Sequence, residues 1–360
     1  MKLLLATKDV NFFSPVFGVG SLEKGTAYFT FGKFARDMAS QDAGILMDEH
    51  APVPFLCRDA LGDLPKNSRI LLIHSGGYGD TITVGILINC LRKKYGADFD
   101  VCCHRDKHDF ILKPMGFEGT WLSFPPPVGR LHPYDYLLTD LAAMAEDPMD
   151  LLRRSPLDVL GEVFGVSLRN EGVQYRIPSE YRISMGLPSS KRIRVGLNFD
   201  AMGRVKSYPG DLQDLLISRL LPLNLELHLF GQRTLPSGLA ESNGGIHNHV
   251  NRTTIPELAA LLDQMDLVLS VDSFVAHLSA LLGKQTLVLL STTGEEYFRH
   301  YPAVSACSSR LTCAPCFHVN DTCPLGRANC GAFYHESMQT DILASRVIRK
   351  ISGMYGIKNG

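Results

Sequence analysis

The sequence predicts an α/β protein with two series of alternating strands and helices. Three stretches carry that reading. Asp266 to Leu290, DLVLSVDSFVAHLSALLGKQTLVLL, passes from an apolar, β-branched strand (Val268 to Val271) through a polar corner into an Ala/Leu-rich helix. That helix ends at Gly283, and a second strand follows at Thr286 to Leu290, making a βαβ unit. Arg69 to His74, RILLIH, runs into the glycine loop Ser75-Gly76-Gly77-Tyr78-Gly79-Asp80 and then into helix-like TITVGILINCLRKKYG. Ile193 to Phe199, IRVGLNF, opens a second strand and helix series that leads into the first stretch.

A chain of 360 residues exceeds what one core serves at about 100 to 200 residues per domain, so two domains are expected. An apolar fraction of 45%, a charged fraction of 20% and a formal net charge of -1 argue against disorder and against a global basic field for nucleic acid. No apolar run approaches the length of a membrane span, and the apolar part of MKLLLATKDV is too short for a signal peptide. A cytoplasmic protein is therefore expected, and in that reducing compartment nine cysteines read as free thiols or metal ligands before disulfides.

In chain order, residues 1–65 form a small β-rich or mixed extension, with apolar runs at Lys2 to Ala6, Ala27 to Phe31 and Gly44 to Met47 and helical spacing only at Gly32 to Met38. Its aromatic residues Phe12, Phe13, Phe17, Tyr28, Phe29, Phe31 and Phe34 read as core packing. Residues 66–185 form the first α/β domain. After the glycine loop it continues with strands at Asp98 to Cys103, Gly119 to Phe124 and Tyr134 to Thr139, and with helices at Lys107 to Lys113 and Leu151 to Val166. Its basic residues Arg92, Lys93, Lys94, Arg105 and Lys107 read as a solvated face or as the dock of an anionic acceptor. Pro, Ser and Gly gather and periodicity fades at Ile177 to Lys191, the expected linker. Residues 186–338 form the second domain, adding a helix at Asp211 to Leu220, a strand at Leu225 to Phe230 and a helix at Ile255 to Met265. Residues 339–360 close the chain with a helix over Thr340 to Ser352.

Polar residues collect where strands end. In the first domain, Gly77 and Gly79 let the backbone approach a ligand near a helix N-terminus. The spacing is G-G-x-G-D, not the dinucleotide fingerprint G-x-G-x-x-G, which argues against a dehydrogenase. Asp80 reads either as a first-turn cap or as a carboxylate that removes a proton from a hydroxyl. In the second domain Asn198, Lys206, Gln232, Asp272, Ser273 and His277 follow strand ends, where open parallel sheets hold nucleotides or nucleotide sugars. Lys206 is a surface lysine or the cation for a diphosphate; His277 is a partly buried structural imidazole or a ligand contact. Within the Cys-rich segment 307–330, Cys313, Cys316, Cys323 and Cys330 make a C-x2-C-x6-C-x6-C array. Four thiolates suit a tetrahedral Zn or Fe site that staples the loop; reduced thiols and disulfides are the other readings.

TTIPELAALLDQMDLVLSVDSFVAHLSALLGKQTLVLL resembles the motif of glycosyltransferase family 9, the heptosyltransferase-type enzymes, with a His four residues after Asp-Ser/Thr. LLIHSGGYGDTITVGILINCLRKKYG is similar to that family's amino-terminal glycine loop, and Lys206-Ser207-Tyr208-Pro209 resembles its Lys-x-Trp-Pro element. The resemblance, covering about Arg69 to the C-terminus, implies a GT-B architecture of two Rossmann-like domains facing across a cleft. It implies inverting transfer from a nucleotide-diphosphate sugar, usually ADP-heptose, to a hydroxyl of a lipopolysaccharide core or a protein. Residue by residue, it implies Asp80 as catalytic base, Lys206 as the diphosphate lysine, and Asp272, Ser273 and His277 as donor contacts. Phe274 stands where the family commonly has glycine. The Cys-rich segment resembles the tail of a protein heptosyltransferase branch, which implies an iron site with four cysteine ligands. No organic cofactor and no obligatory divalent cation are implied, and a peripheral place at the inner membrane and a homo-oligomer are compatible with this family. Two other functions share these features: a nucleotide-sugar epimerase or hydrolase, and a catalytically weakened sugar-nucleotide-binding assembly protein.

Overall fold

The computed structural model describes residues 2–14, 18–47, 53–55, 65–139, 154–168, 173–232, 245–309, 311–316, 323 and 330–355. Two compact units divide the chain: Met1–Glu146 with Leu157–Arg169, and Asp147–Pro156 with Asn170–Gly360.

The first unit is built on a parallel sheet in the order β8-β7-β6-β9, from β6 (Arg69–Ile73), β7 (Asp98–Cys102), β8 (Trp121–Leu122) and β9 (Tyr136–Thr139). β6 reads RILLI, and its last four residues are buried, as a central parallel strand covered on both faces requires. The helix Tyr78–Tyr95 follows it and stops at Gly96, whose φ of 66° is the left-handed cap that glycine adopts without strain. The sequence places this helix start near Asp80; the structure starts it two residues earlier, so Gly79 lies inside the first turn and Gly77 is the N-cap. The helix expected at Lys107 to Lys113 is a single turn, Arg105–Lys107, that runs into a π-type turn at His108–Leu112.

The amino-terminal residues add the antiparallel sheet β4-β1-β5 from β1 (Lys2–Ala6), β4 (Ala27–Thr30) and β5 (Gly44–Met47), with a helix at Gly32–Ser40. They also form a hairpin, β2 (Val10–Ser14) with β3 (Gly18–Leu22), which glycine interrupts and apolar periodicity does not reveal. Leu3 and Phe29 share one apolar core with Leu71, Ile73 and Cys102 of the parallel sheet and with Phe124 just beyond β8. The expected aromatic packing is there: Phe12 meets Phe34 edge-on at 4.8 Å and Phe31 stacks on Phe124 at 5.6 Å, while Phe13 is exposed. Phe17 lies outside the described residues.

The second unit holds a six-stranded, all-parallel sheet in the order β12-β11-β10-β13-β14-β15. Its strands are β10 (Arg194–Asn198), β11 (Glu226–Phe230), β12 (Ile246–Asn248), β13 (Leu267–Val271), β14 (Gln285–Leu290) and β15 (Val304–Ser308). The edge strands β12 and β15 escaped the sequence reading because IHN is only three residues long and VSACS carries small and hydroxyl side chains instead of an apolar run. The chain enters at β10, steps outward to β12, then returns to β13 and steps the other way. The order therefore reverses between β10 and β13, the switch point where such sheets hold ligands at the strands' carboxyl ends. The helix Thr340–Tyr355 buries Leu343, Val347 and Ile351 against Leu216 and Leu220 of the helix Gly210–Leu220. The expected linker is not structureless: it contains a short helix, Ser179–Ser184, and Gln264 ties the segment down by accepting from Leu187 N–H at 2.7 Å and donating to the Met185 carbonyl at 2.8 Å.

Candidate functional site

At the β10/β13 switch point of the second unit, Asn198 ends β10 opposite Ser270 of β13. Its side-chain amide donates to Ser273 Oγ at 2.9 Å, Ser270 Oγ at 3.1 Å and the Asp200 carbonyl at 3.0 Å. These bonds hold Ser273, the N-cap of the helix Phe274–Leu281, in extended geometry at the mouth of that helix. The helix N-terminus leaves N–H groups for an anion beside a fixed hydroxyl. Phe274 is the first residue of the helix and only half-buried.

Next to Ser273, Asp272 is buried and doubly held: Lys206 Nζ lies 2.7 Å from Oδ2, and Thr293 Oγ1 donates to the same oxygen at 2.8 Å. Burial pushes the Asp272 carboxyl up, but Lys206, His277 and the two hydrogen bonds outweigh it and hold it below its ordinary value. His277 is buried among Phe298, Tyr297 and Tyr301, with Nδ1 3.4 Å from the Tyr301 hydroxyl. Burial pulls its imidazole down to about 4, Asp272 pulls the other way, and Lys206 adds to the fall. The turn bearing Lys206 is anchored at Val205, whose carbonyl accepts from Ser291 Oγ at 3.0 Å, and Tyr208 is stacked on Phe199 at 5.6 Å. Gln232 is exposed; its backbone N–H donates to Asp200 Oδ2 at 3.0 Å. Of the expected residues in this unit, Lys206, Asp272 and His277 form one cluster, Asn198 and Ser273 adjoin it, and Gln232 joins through Asp200.

In the first unit the glycine loop leaves β6 and enters the helix Tyr78–Tyr95. Asp80 Oδ2 accepts from Gly77 N–H at 2.6 Å, so the carboxylate caps the helix from its third position. A β-carbon at Gly76 would lie 2.7 Å from His74 Cε1 and 2.8 Å from Asp80 Cβ, so only glycine fits there with Asp80 in place. His74 is buried, 3.0 Å from Thr81 Oγ1, and burial with the Lys107 charge lowers it to about 3.

Lys107 corrects the reading of a solvated basic face. It is buried, donates to the Gly76 carbonyl at 2.6 Å and lies over the Tyr78 ring at 6.0 Å. Burial lowers its pKa, opposed by Cys103 and Asp80. Nothing in the spacing separates Lys107 from its exposed basic neighbours. Thr293 and Ser270 were also missed, and both carried a readable signal: Thr293 follows a buried strand just as Asp272 does, and Ser270 is the polar break in LVLSV.

In the Cys-rich segment, Cys330 is buried and the thiol is raised by that burial, with Cys316, Cys323 and Cys313 adding to the rise against an N–H from Ala332. All four cysteines of the array are free thiols.

Residues 173–326, inside the second unit, match the model of glycosyltransferase family 9 (heptosyltransferase). Over this stretch, less than half of the chain, the sequence is similar to glycosyltransferase family 9. No curated protein matches the chain in sequence. Among solved structures, the ADP-heptose lipopolysaccharide heptosyltransferase II of E. coli aligns at 12% identity with a TM-score of 0.56, covering 80% of this chain and 99% of that one. The iron-containing, dodecameric heptosyltransferase TibC of enterotoxigenic E. coli, in complex with ADP-D-beta-D-heptose, aligns at 12% identity and a TM-score of 0.62 over 98% of this chain and 91% of its own. E. coli heptosyltransferase WaaC aligns at 13% identity and 0.51 over 78% and 99%. At these identities the likeness concerns the fold, which is that of the GT-B heptosyltransferases. Within the matched stretch, the Asp-Ser corner, its helix and Lys206 all sit at the switch point. Among the described residues, no helix is long and apolar enough to cross a membrane.

Proposed function

We propose that the protein is an inverting glycosyltransferase that moves a sugar, a heptose, from a nucleotide-diphosphate sugar of the ADP-heptose kind to a hydroxyl of a lipopolysaccharide core or a protein. The observation that carries the reading is the cluster of half-buried Lys206 with buried Asp272, Thr293 and His277 beside a helix N-terminus, inside the stretch that matches family 9. ADP-heptose as donor is supported by the sugar nucleotide bound to TibC, the protein this fold resembles over nearly its whole length.

In the proposed reaction the acceptor oxygen attacks the anomeric carbon as the bond from that carbon to the diphosphate oxygen breaks on the opposite face. Asp80 takes the hydroxyl proton, and the configuration at the anomeric carbon inverts. Negative charge grows on the departing diphosphate. Lys206 and the N–H groups behind Ser273 are positioned to receive it, and preorganised donors act most strongly where charge develops. Asp272 neutralises and aims Lys206 before the donor arrives, and Gly77, Gly79 and Lys107 shape the loop that holds Asp80. Asn198 sets the Ser273 hydroxyl, Gln232 lines the rim after β11, and Phe274 fills space that glycine leaves open elsewhere in the family.

Cys313, Cys316, Cys323 and Cys330 would hold an iron or zinc ion that pins the loop-rich segment, a reading supported by the iron that TibC contains. Assembly as a homo-oligomer is supported by the dodecamer formed by TibC.

The test is incubation of the purified protein with ADP-heptose and candidate lipid and protein acceptors, read by mass spectrometry. The expected result is a heptosyl-bearing acceptor, ADP and an inverted anomeric centre. Release of free sugar without acceptor would instead indicate a hydrolase, and binding without turnover on any acceptor a sugar-nucleotide-binding protein.

A further inference from the structure

The sheet edge formed by β11 and β12 carries a second group of side chains that the transfer chemistry does not use. Side chains alternate along a strand, so Glu226 and His228 share one face of β11, and the parallel register sets His247 of β12 beside His228. On β10 the matching position is Gly196, where an added β-carbon would come within 3.0 Å of Phe230 and 3.2 Å of Met265. The space a side chain would take there is filled by Phe230 and Met265, which close this face of the sheet beside the histidines.

Glu226 Oε1 lies 3.1 Å from His247 Nε2 and 3.8 Å from His228 Nε2, and one ligand atom from each of the three residues lies within 4.8 Å of the other two. Bonds of about 2.0 to 2.2 Å in a tetrahedron put ligand atoms about 3.3 Å apart, so these spacings bracket what a divalent ion demands. Both Nε2 atoms are buried and lack a hydrogen-bond partner. Orphaned buried nitrogens cost free energy that a metal bond removes.

The outer contacts are those of a ligand set. His228 Nδ1 is 3.1 Å from His249 Nε2, which fixes the ring with Nε2 turned to Glu226. Arg194 Nε donates to Glu226 Oε2 at 3.3 Å, and the guanidinium also donates to the Pro188 carbonyl, so Oε1 is the oxygen presented to the histidines. The His228 and His247 rings stack at 4.6 Å and 16°, and His247 is partly exposed. Holding one ion between these rings requires His247 to turn out of the stack, which its partial exposure allows.

We propose that Glu226, His228 and His247 form a binding site for a divalent first-row cation, zinc above all, distinct from the Cys-rich segment. Two imidazoles and a carboxylate suit zinc, and cobalt substitutes in the same geometry. Glu226 begins β11, whereas Gln232 follows its end, so this site lies at the opposite end of the sheet from Asp272. Its role is to pin the three-residue edge strand β12 to β11, not to touch the donor.

The test uses the full chain stripped with a chelator and titrated with Co2+ and Zn2+. In a Cys313→Ser/Cys316→Ser background, about one equivalent of Co2+ is expected to bind with visible d–d absorption and no thiolate charge-transfer band, and Zn2+ should raise Tm. Glu226→Gln and His247→Ala should each weaken binding tenfold or more and abolish the Tm shift, while the control His300→Ala, a half-buried imidazole outside this group, leaves both intact. Unchanged affinity in those two variants, or no binding in the thiol-poor background, overturns the site. If that background does not fold, metal content is compared between wild type and His247→Ala at saturating Zn2+. One equivalent fewer in the variant supports the site, and equal content overturns it.

Discussion

At the scale of single residues, Lys206 and Asp272 pose the central question of the donor site, because the cation meant for a diphosphate is already paired at 2.7 Å. Asp272 is the more buried partner and keeps a hydrogen bond from Thr293. Removing the lysine charge therefore leaves a buried carboxylate that is still partly satisfied, while the leaving group loses its counter-charge. Lys206→Gln is expected to lower kcat for transfer about 10²- to 10³-fold, the scale of losing one charge-stabilising donor, with a smaller change in donor Kd. Steady-state kinetics with ADP-heptose checks it; equal losses in Kd and kcat/KM with kcat unchanged would make Lys206 a ground-state anchor only. Asp80 needs a different substitution, because its carboxylate caps the helix as well as facing the proposed proton transfer. In Asp80→Asn the side-chain carbonyl still accepts from Gly77 N–H, so the cap survives and only the base is lost. Transfer should fall about 10²- to 10⁴-fold with donor affinity and Tm near wild type. Unchanged transfer would remove Asp80 as the base and leave it a helix cap.

At the scale of elements, the glycine loop after β6 works as a spacer between His74 and Asp80. In Gly76→Ala the added methyl meets both, and relief requires moving Asp80 or the buried imidazole. Overpacking of this kind costs about 1 to 3 kcal/mol, so Gly76→Ala should lower Tm and also slow transfer, with donor binding in the other unit unaffected. Isothermal titration of donor beside a thermal melt separates the two effects; a loss of donor affinity would contradict the division of labour. Legibility followed the same elements. RILLIH, IRVGLNF and DLVLSV were readable because central parallel strands are apolar on both faces, and helix stops at Gly96 and Gly283 were readable because only glycine sits easily at φ of 66° and 72°. IHN and VSACS were not, since an edge strand of a large sheet needs little apolar sequence. Asp272 and Lys206 were legible as polar residues after strands, but their pairing joins positions far apart in sequence and is set by the sheet order. Lys107 shows the limit: one lysine among several basic neighbours is buried, and only the packing of the turn Arg105–Lys107 against the loop distinguishes it.

Across the whole molecule, each unit carries a buried neutral imidazole at its site: His74, lowered to about 3, in the first and His277, lowered to about 4, in the second. An unfolded histidine takes its proton near pH 6.5, so below that value the unfolded chain binds more protons than the folded one. Stability is therefore full above about pH 6.5 and falls on acidification, by about 1.4 kcal/mol per pH unit for each histidine, until the folded values are reached. Asp272, whose carboxyl is lowered, adds its own loss only when the pH drops below the ordinary carboxylate range near 4, after most of the histidine loss has occurred. Two units with separate cores need not unfold together; His74 marks the first, while in the second His277 shares the acid response with His228 and His249, which burial lowers to about 3 and about 4. Urea titrations at about pH 7, 6 and 5 should show the midpoint falling with the slope m unchanged. In His277→Gln the acid sensitivity of the second unit should flatten by about one proton while that of the first stays as it was. A wild-type midpoint that does not move between those pH values would mean that these imidazoles are hydrated and titrate normally, and the dry donor pocket around Asp272 would fall with them.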